Sequence, residues 1–219
     1  MKRRLAVLFD MDGVIVDSMP FHFRAWHQAF ASIGVEVSQE EIYLREGEKG
    51  EVTAREILEE RKIPPREEER QELVRRKREI FRQIVTHELF PGVRELLEEL
   101  RSRGASLGLV TGTSRKEAER LLPEGFLDQF DVVVTGDDVR QGKPHPEPYL
   151  KAVRELGLDP SQCVVIENSP NGIRSAKGAG LRCIALTTSL PREHLGEADR
   201  VVDSLTEVRE VLSLEISQR

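Results

Sequence analysis

Asp10 and Asp12 stand one residue apart at the end of the apolar run Leu5-Ala6-Val7-Leu8-Phe9, and Gly13 follows them. Residues i and i+2 of an extended chain project to one side, so the two carboxylates share a space in which like charges repel unless a divalent cation or a shared proton intervenes. Magnesium with a phosphate substrate meets that need, because magnesium prefers hard oxygen donors. The alternative is an acidic turn that caps the next helix, since Asp and Gly are ordinary turn residues. Three later stretches weigh against it. The run 106–110 ends in Thr111-Gly112-Thr113-Ser114, where a hydroxyl and helix-opening amides can hold phosphate oxygens. Gly142-Lys143-Pro144 offers an ammonium on a restricted backbone, a compact point charge suited to phosphate. Cys163-Val164-Val165-Ile166 runs into Glu167-Asn168-Ser169, again an apolar strand ending in oxygen-bearing side chains.

The elements that must carry these groups follow from the spacing of apolar residues. Phe23, Trp26, Ala29, Phe30 and Ile33 predict a helix over 21–33, stopped by Gly34. From there to about residue 85 every segment reads as helical and charged, over 42–44, 52–58 and 66–85, with no strand signal between them. Within this region Arg75-Arg76-Lys77-Arg78 reads as a solvated helix face paired with Glu67, Glu68, Glu69 and Glu72. Leu89-Phe90-Pro91-Gly92 then punctuates the chain. Beyond it, helices are predicted over 93–103, 115–121, 147–156, 172–179 and 205–214, alternating with strands over 106–110, 132–135, 163–166, 183–186 and 201–202. Such alternation is the signature of βαβ units and a parallel sheet. The expected fold class is therefore α/β: a Rossmann-like parallel sheet core flanked by helices, residues 1–16 and 88–219, with a small all-helical domain, residues 17–87, inserted after the first strand. Chemistry in such sheets collects at the carboxyl ends of the strands, where all four polar stretches fall.

The 219 residues can bury one substantial core and leave material for a second small unit. A formal net charge of -6 gives no support to nucleic acid or a membrane surface as a partner. The apolar segment after Met1-Lys2-Arg3-Arg4 is too short for a signal-peptide core or a membrane span, so a cytoplasmic location is expected. Cys163 and Cys183 each sit in a strand-like run and read as buried thiols. The sequence does not set the oligomeric state, and a monomer meets every requirement above.

Asp10-Met11-Asp12-Gly13-Val14, Thr111, Lys143 and Glu167-Asn168 together resemble, in order, the four motifs of the haloacid dehalogenase-like superfamily, in the branch with a small helical cap after the first strand. The resemblance spans essentially the whole chain. It implies that Asp10 attacks phosphorus and forms an aspartyl phosphate, while Asp12 serves as general acid and then general base. It also implies Mg2+ bound by Asp10, the Asp12 backbone carbonyl and the Glu167-Asn168 motif, with Thr111, Gly112 and Lys143 clamping the phosphate. One departure stands out: Asn168 occupies a position where such families usually carry aspartate, which predicts weaker magnesium affinity with Glu167 compensating.

The cap governs the leaving group. His22-Phe23-Arg24-Ala25-Trp26 resembles the matching stretch of β-phosphoglucomutase, where the histidine helps place the acid/base aspartate; Trp26 reads as core through its register with Phe23 and Phe30. The loop Arg45-Glu46-Gly47-Glu48-Lys49-Gly50-Glu51 keeps a glycine but lacks the serine and arginine with which that mutase grips a second phosphate. Arg45 and Lys49 remain candidates for an anionic substrate end, whereas the glutamates favour a sugar hydroxyl and fit the carboxylate of phosphoglycolate poorly. The reading is a phosphatase for a small phosphorylated metabolite, a sugar or polyol phosphate. A phosphosugar mutase is one alternative, and a phosphometabolite sensor without turnover is the other. Cap closure is expected about hinges at 16–20 and 87–91.

Overall fold

The computed structural model describes residues 5–64 and 66–217. Residues 1–4, with which the expected core begins, lie outside them.

Six strands, β1 (Ala6–Phe9), β2 (Ser106–Val110), β3 (Val132–Val134), β4 (Cys163–Glu167), β5 (Arg182–Leu186) and β6 (Arg200–Val202), form one parallel sheet in the order β3-β2-β1-β4-β5-β6. β1 and β4 are buried throughout and read as unbroken apolar runs up to the acidic ends, as strands covered on both faces must. Alternation along β1 divides the core. Val7 and Phe9 face α5 (Val93–Ser102), α6 (Arg115–Leu121) and α9 (Leu205–Ser217), while Ala6 and Leu8 face α7 (Glu147–Leu156) and α8 (Pro170–Gly178). The strand order reverses beside β1, so the ends of β1, β2 and β4 open onto the crevice where doubly wound sheets bind ligands.

Four helices fill the interval between β1 and α5: α1 (Met19–Ala31), α2 (Gln39–Tyr43), α3 (Gly50–Glu60) and α4 (Glu67–Ile84). They bury Trp26, Phe30, Ile57, Leu73 and Val74 against one another, and the Trp26 and Phe30 rings stack with centroids 5.4 Å apart. The chain leaves and re-enters the core through two paired segments. Val16 bridges Leu89, the Asp17 amide donates to the Glu88 carbonyl (3.0 Å), and the Phe90 amide donates to the Ile15 carbonyl (3.0 Å). α1 ends earlier than its apolar spacing predicts. Ile33 falls beyond Ala31 and is 52 % exposed, because Ser32 already forms the C-cap and Gly34 turns the chain with φ +74°.

Candidate active site

Asp10 and Asp12 follow β1 directly and are both buried. The turn after them is made by Gly13 at φ +87°, where a Cβ would lie 2.1 Å from Asn168 Nδ2; only glycine lets the β1 and β4 ends approach this closely. Lys143, 3 % exposed, reaches in from the loop before α7. Its ammonium donates to Asp10 Oδ1, to Glu167 Oε1 (2.6 Å) and to the Val110 carbonyl (3.2 Å). Glu167, with no solvent exposure, has both oxygens filled. Oε1 also accepts from the Tyr149 hydroxyl (3.0 Å), and Oε2 accepts from the amides of Asn168 (2.8 Å) and Ser169 (3.1 Å) and from Ser169 Oγ (3.2 Å). The backbone of α8 closes on this carboxylate at Gly172, where a Cβ would lie 1.8 Å from Oε1.

The charges do not balance. One ammonium serves Asp10 and Glu167, and Asp12 lies beside them. Burial pushes the Asp10 carboxyl well up, opposed by Lys143 and reinforced by Glu167 and Asp12. Lys143 is itself held above the usual lysine range, because the two carboxylates outweigh its burial. Beside this cluster Asn168 Oδ1 is buried with no hydrogen-bond partner among the described residues, while its Nδ2 donates to Ser189 Oγ (2.8 Å). A buried acceptor without a partner beside excess negative charge is what a site for a hard cation requires.

Asp12 has a different environment. Ser18 Oγ donates to its Oδ1 (2.6 Å) instead of capping α1, Thr113 Oγ1 donates to Oδ2 (3.1 Å), and His22 Nε2 lies 3.1 Å from Oδ1. Burial alone would raise its pKa, but these bonds with His22, Ser18 and Thr113 outweigh it and hold the group at about 2. On the other side of the imidazole, Lys77 Nζ lies 2.9 Å from His22 Nδ1. An ammonium can only donate, so Nδ1 accepts and the ring proton sits on Nε2, directed at Asp12. The Phe81 ring lies against the imidazole with centroids 4.2 Å apart and takes the Lys77 ammonium over its face at 4.8 Å.

His22 and Thr113, which contact Asp12, line a cavity of about 300 Å³ between cap and core together with Trp26, Arg45, Glu46, Lys77 and Gly112 among others. The structure thus brings together Asp10, Asp12, Lys143, Glu167 and Asn168, places His22 on Asp12, and sets Gly112 in the cavity wall. Thr111 is buried and its hydroxyl accepts from the Thr113 amide (3.0 Å). Lys49 is not brought in: its ammonium donates to the Arg140 carbonyl (2.8 Å) outside this cavity. Arg45 lines the cavity, yet its terminal nitrogens are bound to Glu60 (2.5 Å) and the Glu41 carbonyl (3.0 Å). The basic run divides. Arg75 pairs with Glu72 on the solvated face as expected and also with Glu79, whereas Glu67 and Glu69 pair instead with Arg70 and Arg66, and Lys77 turns inward to His22. Ser18, Tyr149 and the inward Lys77 carried no local signal. Lys77 meets His22 across 55 residues, and a lysine inside a basic run looks like its neighbours.

Burial lowers the Lys77 pKa to about 8. The unfolded chain therefore binds more protons between about pH 8 and 10.5, and the buried charge weakens the fold at neutral pH. Lys77→Met is accordingly expected to raise stability by about 1 kcal/mol and to reduce kcat/KM about tenfold by releasing the His22 tautomer. Thermal melts read beside phosphate release check this; a variant less stable than the parent would contradict it.

The model of the haloacid dehalogenase-like hydrolases matches residues 5–180. The chain belongs to that family. Haloacid dehalogenase-like proteins similar to it include the phosphorylated carbohydrates phosphatase of Thermotoga maritima, 37% identical over 82% of this chain and 83% of the relative. Hexitol phosphatase B of Escherichia coli K12 is 34% identical over 93% of this chain and 94% of its own length. Among solved structures, CbbY from Rhodobacter sphaeroides in complex with xylulose-(1,5)bisphosphate superposes with a TM-score of 0.77 at 32% identity, covering 94% of this chain and 96% of that one. As a haloacid dehalogenase-like hydrolase of this kind, the protein is a phosphoric monoester hydrolase.

Proposed function

We propose that the protein is a magnesium-dependent phosphatase that releases phosphate from a small phosphorylated sugar or polyol through an aspartyl phosphate on Asp10. The observation that carries this reading is the convergence of Asp10, Asp12 and Lys143 at the strand ends, next to a cavity lined by His22 and Thr113, the two residues in contact with Asp12, and beside Asn168 Oδ1, which has no partner among the described residues. Similarity to phosphatases of phosphorylated carbohydrates and hexitols supports the substrate class. The paired linkers at 15–17 and 88–90 support a division into a core of residues 1–16 and 88–219 and a cap of residues 17–87.

Asp10, Asn168 Oδ1 and the Asp12 carbonyl are the groups that would hold Mg2+; Glu167, whose oxygens are already filled, is assigned to orienting Lys143 and the Asn168 backbone. The ion would neutralise charge between the Asp10 carboxylate and the anionic phosphoryl group. Asp10, steadied by Lys143, attacks phosphorus, and the amides around Gly112 and the Lys143 ammonium bind the phosphoryl oxygens. Asp12 rests as a carboxylate, in the state needed to take a proton from water as the aspartyl phosphate is hydrolysed. Its earlier role as acid toward the leaving oxygen uses the protonated form, which an arriving anionic phosphate favours by like-charge repulsion. The His22 contact keeps the carboxyl aimed in both states.

The test is phosphate release from hexitol, sugar and glycolate phosphates with and without Mg2+, alongside conversion of β-glucose 1-phosphate to glucose 6-phosphate. Magnesium-dependent release is expected. Isomer conversion with little free phosphate would overturn the phosphatase reading in favour of a mutase, and ligand binding without turnover would make the protein a sensor.

A further inference from the structure

The cap loop 45–49 carries four charged side chains beside the reacting groups, and three of them are committed elsewhere. Arg45 is held by Glu60 and the Glu41 carbonyl, and Lys49 by the Arg140 carbonyl. Glu48 accepts from Thr53 Oγ1 (3.1 Å) and, across the interface, from Asn171 Nδ2 (3.1 Å), which also donates to the Leu44 carbonyl (3.3 Å). These bonds clip the loop to the core and fix its register over the site. Glu46 remains. It lies half-buried in the cavity wall with Lys77 and His22, near enough to Lys77 and Asp12 to feel their charges, and the Gly47 amide donates to its carboxylate. Burial pushes the carboxyl up, the mark of a group short of compensating donors.

The cations around the cavity offer no counterpart to a second anion. Arg82 is paired with Glu117 (2.6 Å), Arg78 has Glu51 at 3.9 Å, and Lys77 donates to His22. A carboxylate in the cavity wall is an acceptor that suits the hydroxyl groups of an uncharged leaving group.

We propose that Glu46 determines the leaving-group preference: its carboxylate accepts a hydroxyl of an uncharged polyhydroxy leaving group and repels a second phosphate or carboxylate. This rests on the phosphatase reading and narrows it to monophosphates of neutral polyols and sugars, excluding bisphosphates and phosphorylated carboxylic acids as preferred substrates.

The experiment compares kcat/KM for sorbitol 6-phosphate, fructose 1,6-bisphosphate and phosphoglycolate in the parent protein, Glu46→Gln and Glu46→Lys, with melting curves to verify folding. The parent is expected to favour the sorbitol ester. Glu46→Gln should narrow its lead about tenfold, and Glu46→Lys should turn the preference toward the two substrates that carry a second anionic group. Phosphate release with unchanged ratios in both folded variants overturns the assignment of Glu46 and leaves the phosphatase standing. A parent that favours the bisphosphate overturns it equally. Failure of the parent to release phosphate from any of the three, or release that persists in Asp10→Asn, sinks the phosphatase reading and this inference with it.

Discussion

Replacing Asp10 with asparagine is expected to lower phosphate release at least about ten-thousandfold, because the amide cannot serve as the nucleophile and the residual rate comes from binding and electrostatics alone. The same variant should melt at or above the parent temperature. Burial disfavours the ionised Asp10, and two carboxylates compete for one ammonium. A neutral, nearly isosteric side chain removes one of them and leaves Lys143 with Glu167 and the Val110 carbonyl. Lost turnover with an intact melt separates a catalytic role from a structural one. Retained turnover, or a loss explained by a collapsed melting temperature, would overturn the assignment.

How much of this was legible in the sequence depends on the range over which each feature is encoded. The strand ends carry their message locally: an apolar run buried on both faces must stop where carboxylates begin, so β1 and β4 could be read with Asp10, Asp12, Glu167 and Asn168 at their tips. The helical insertion was legible for the same reason, through the register of Trp26 and Phe30. What escaped is encoded between elements. Lys77 sits among three arginines on α4, and only the packing of α4 on α1 turns its stem toward His22. Lys49 has the charge of an anion receptor, but its ammonium is taken up by a core carbonyl, that of Arg140. The choice between Glu167 and Asn168 could not be made from residue types, both of which carry oxygens. The proposed choice of Asn168 comes from counting donors, since five reach Glu167 and none among the described residues reaches Asn168 Oδ1.

That count also makes Lys143 the residue on which the folded site depends most. Lys143→Met removes the cation between Asp10 and Glu167 and leaves two uncompensated carboxylates in the interior, an arrangement expected to destabilise the protein by about 3 to 5 kcal/mol. The pH dependence gives the sharper test. In the parent, the raised Lys143 pKa means its contribution is fully present below the unfolded value near 10.5 and is lost only as pH rises beyond it. The depressed Asp12 contributes stability above its unfolded value near 3.8, lost as pH falls toward about 2. Neither group changes its contribution between pH 5 and 8. In Lys143→Met the buried carboxylates lose the partner that opposed their burial, so protonation relieves them and the variant should melt higher at pH 5 than at pH 8. Melting curves at the two pH values, read against the parent, measure the difference directly. A variant destabilised equally at both would mean that the lysine stem's packing, and not its charge, holds the strand ends together.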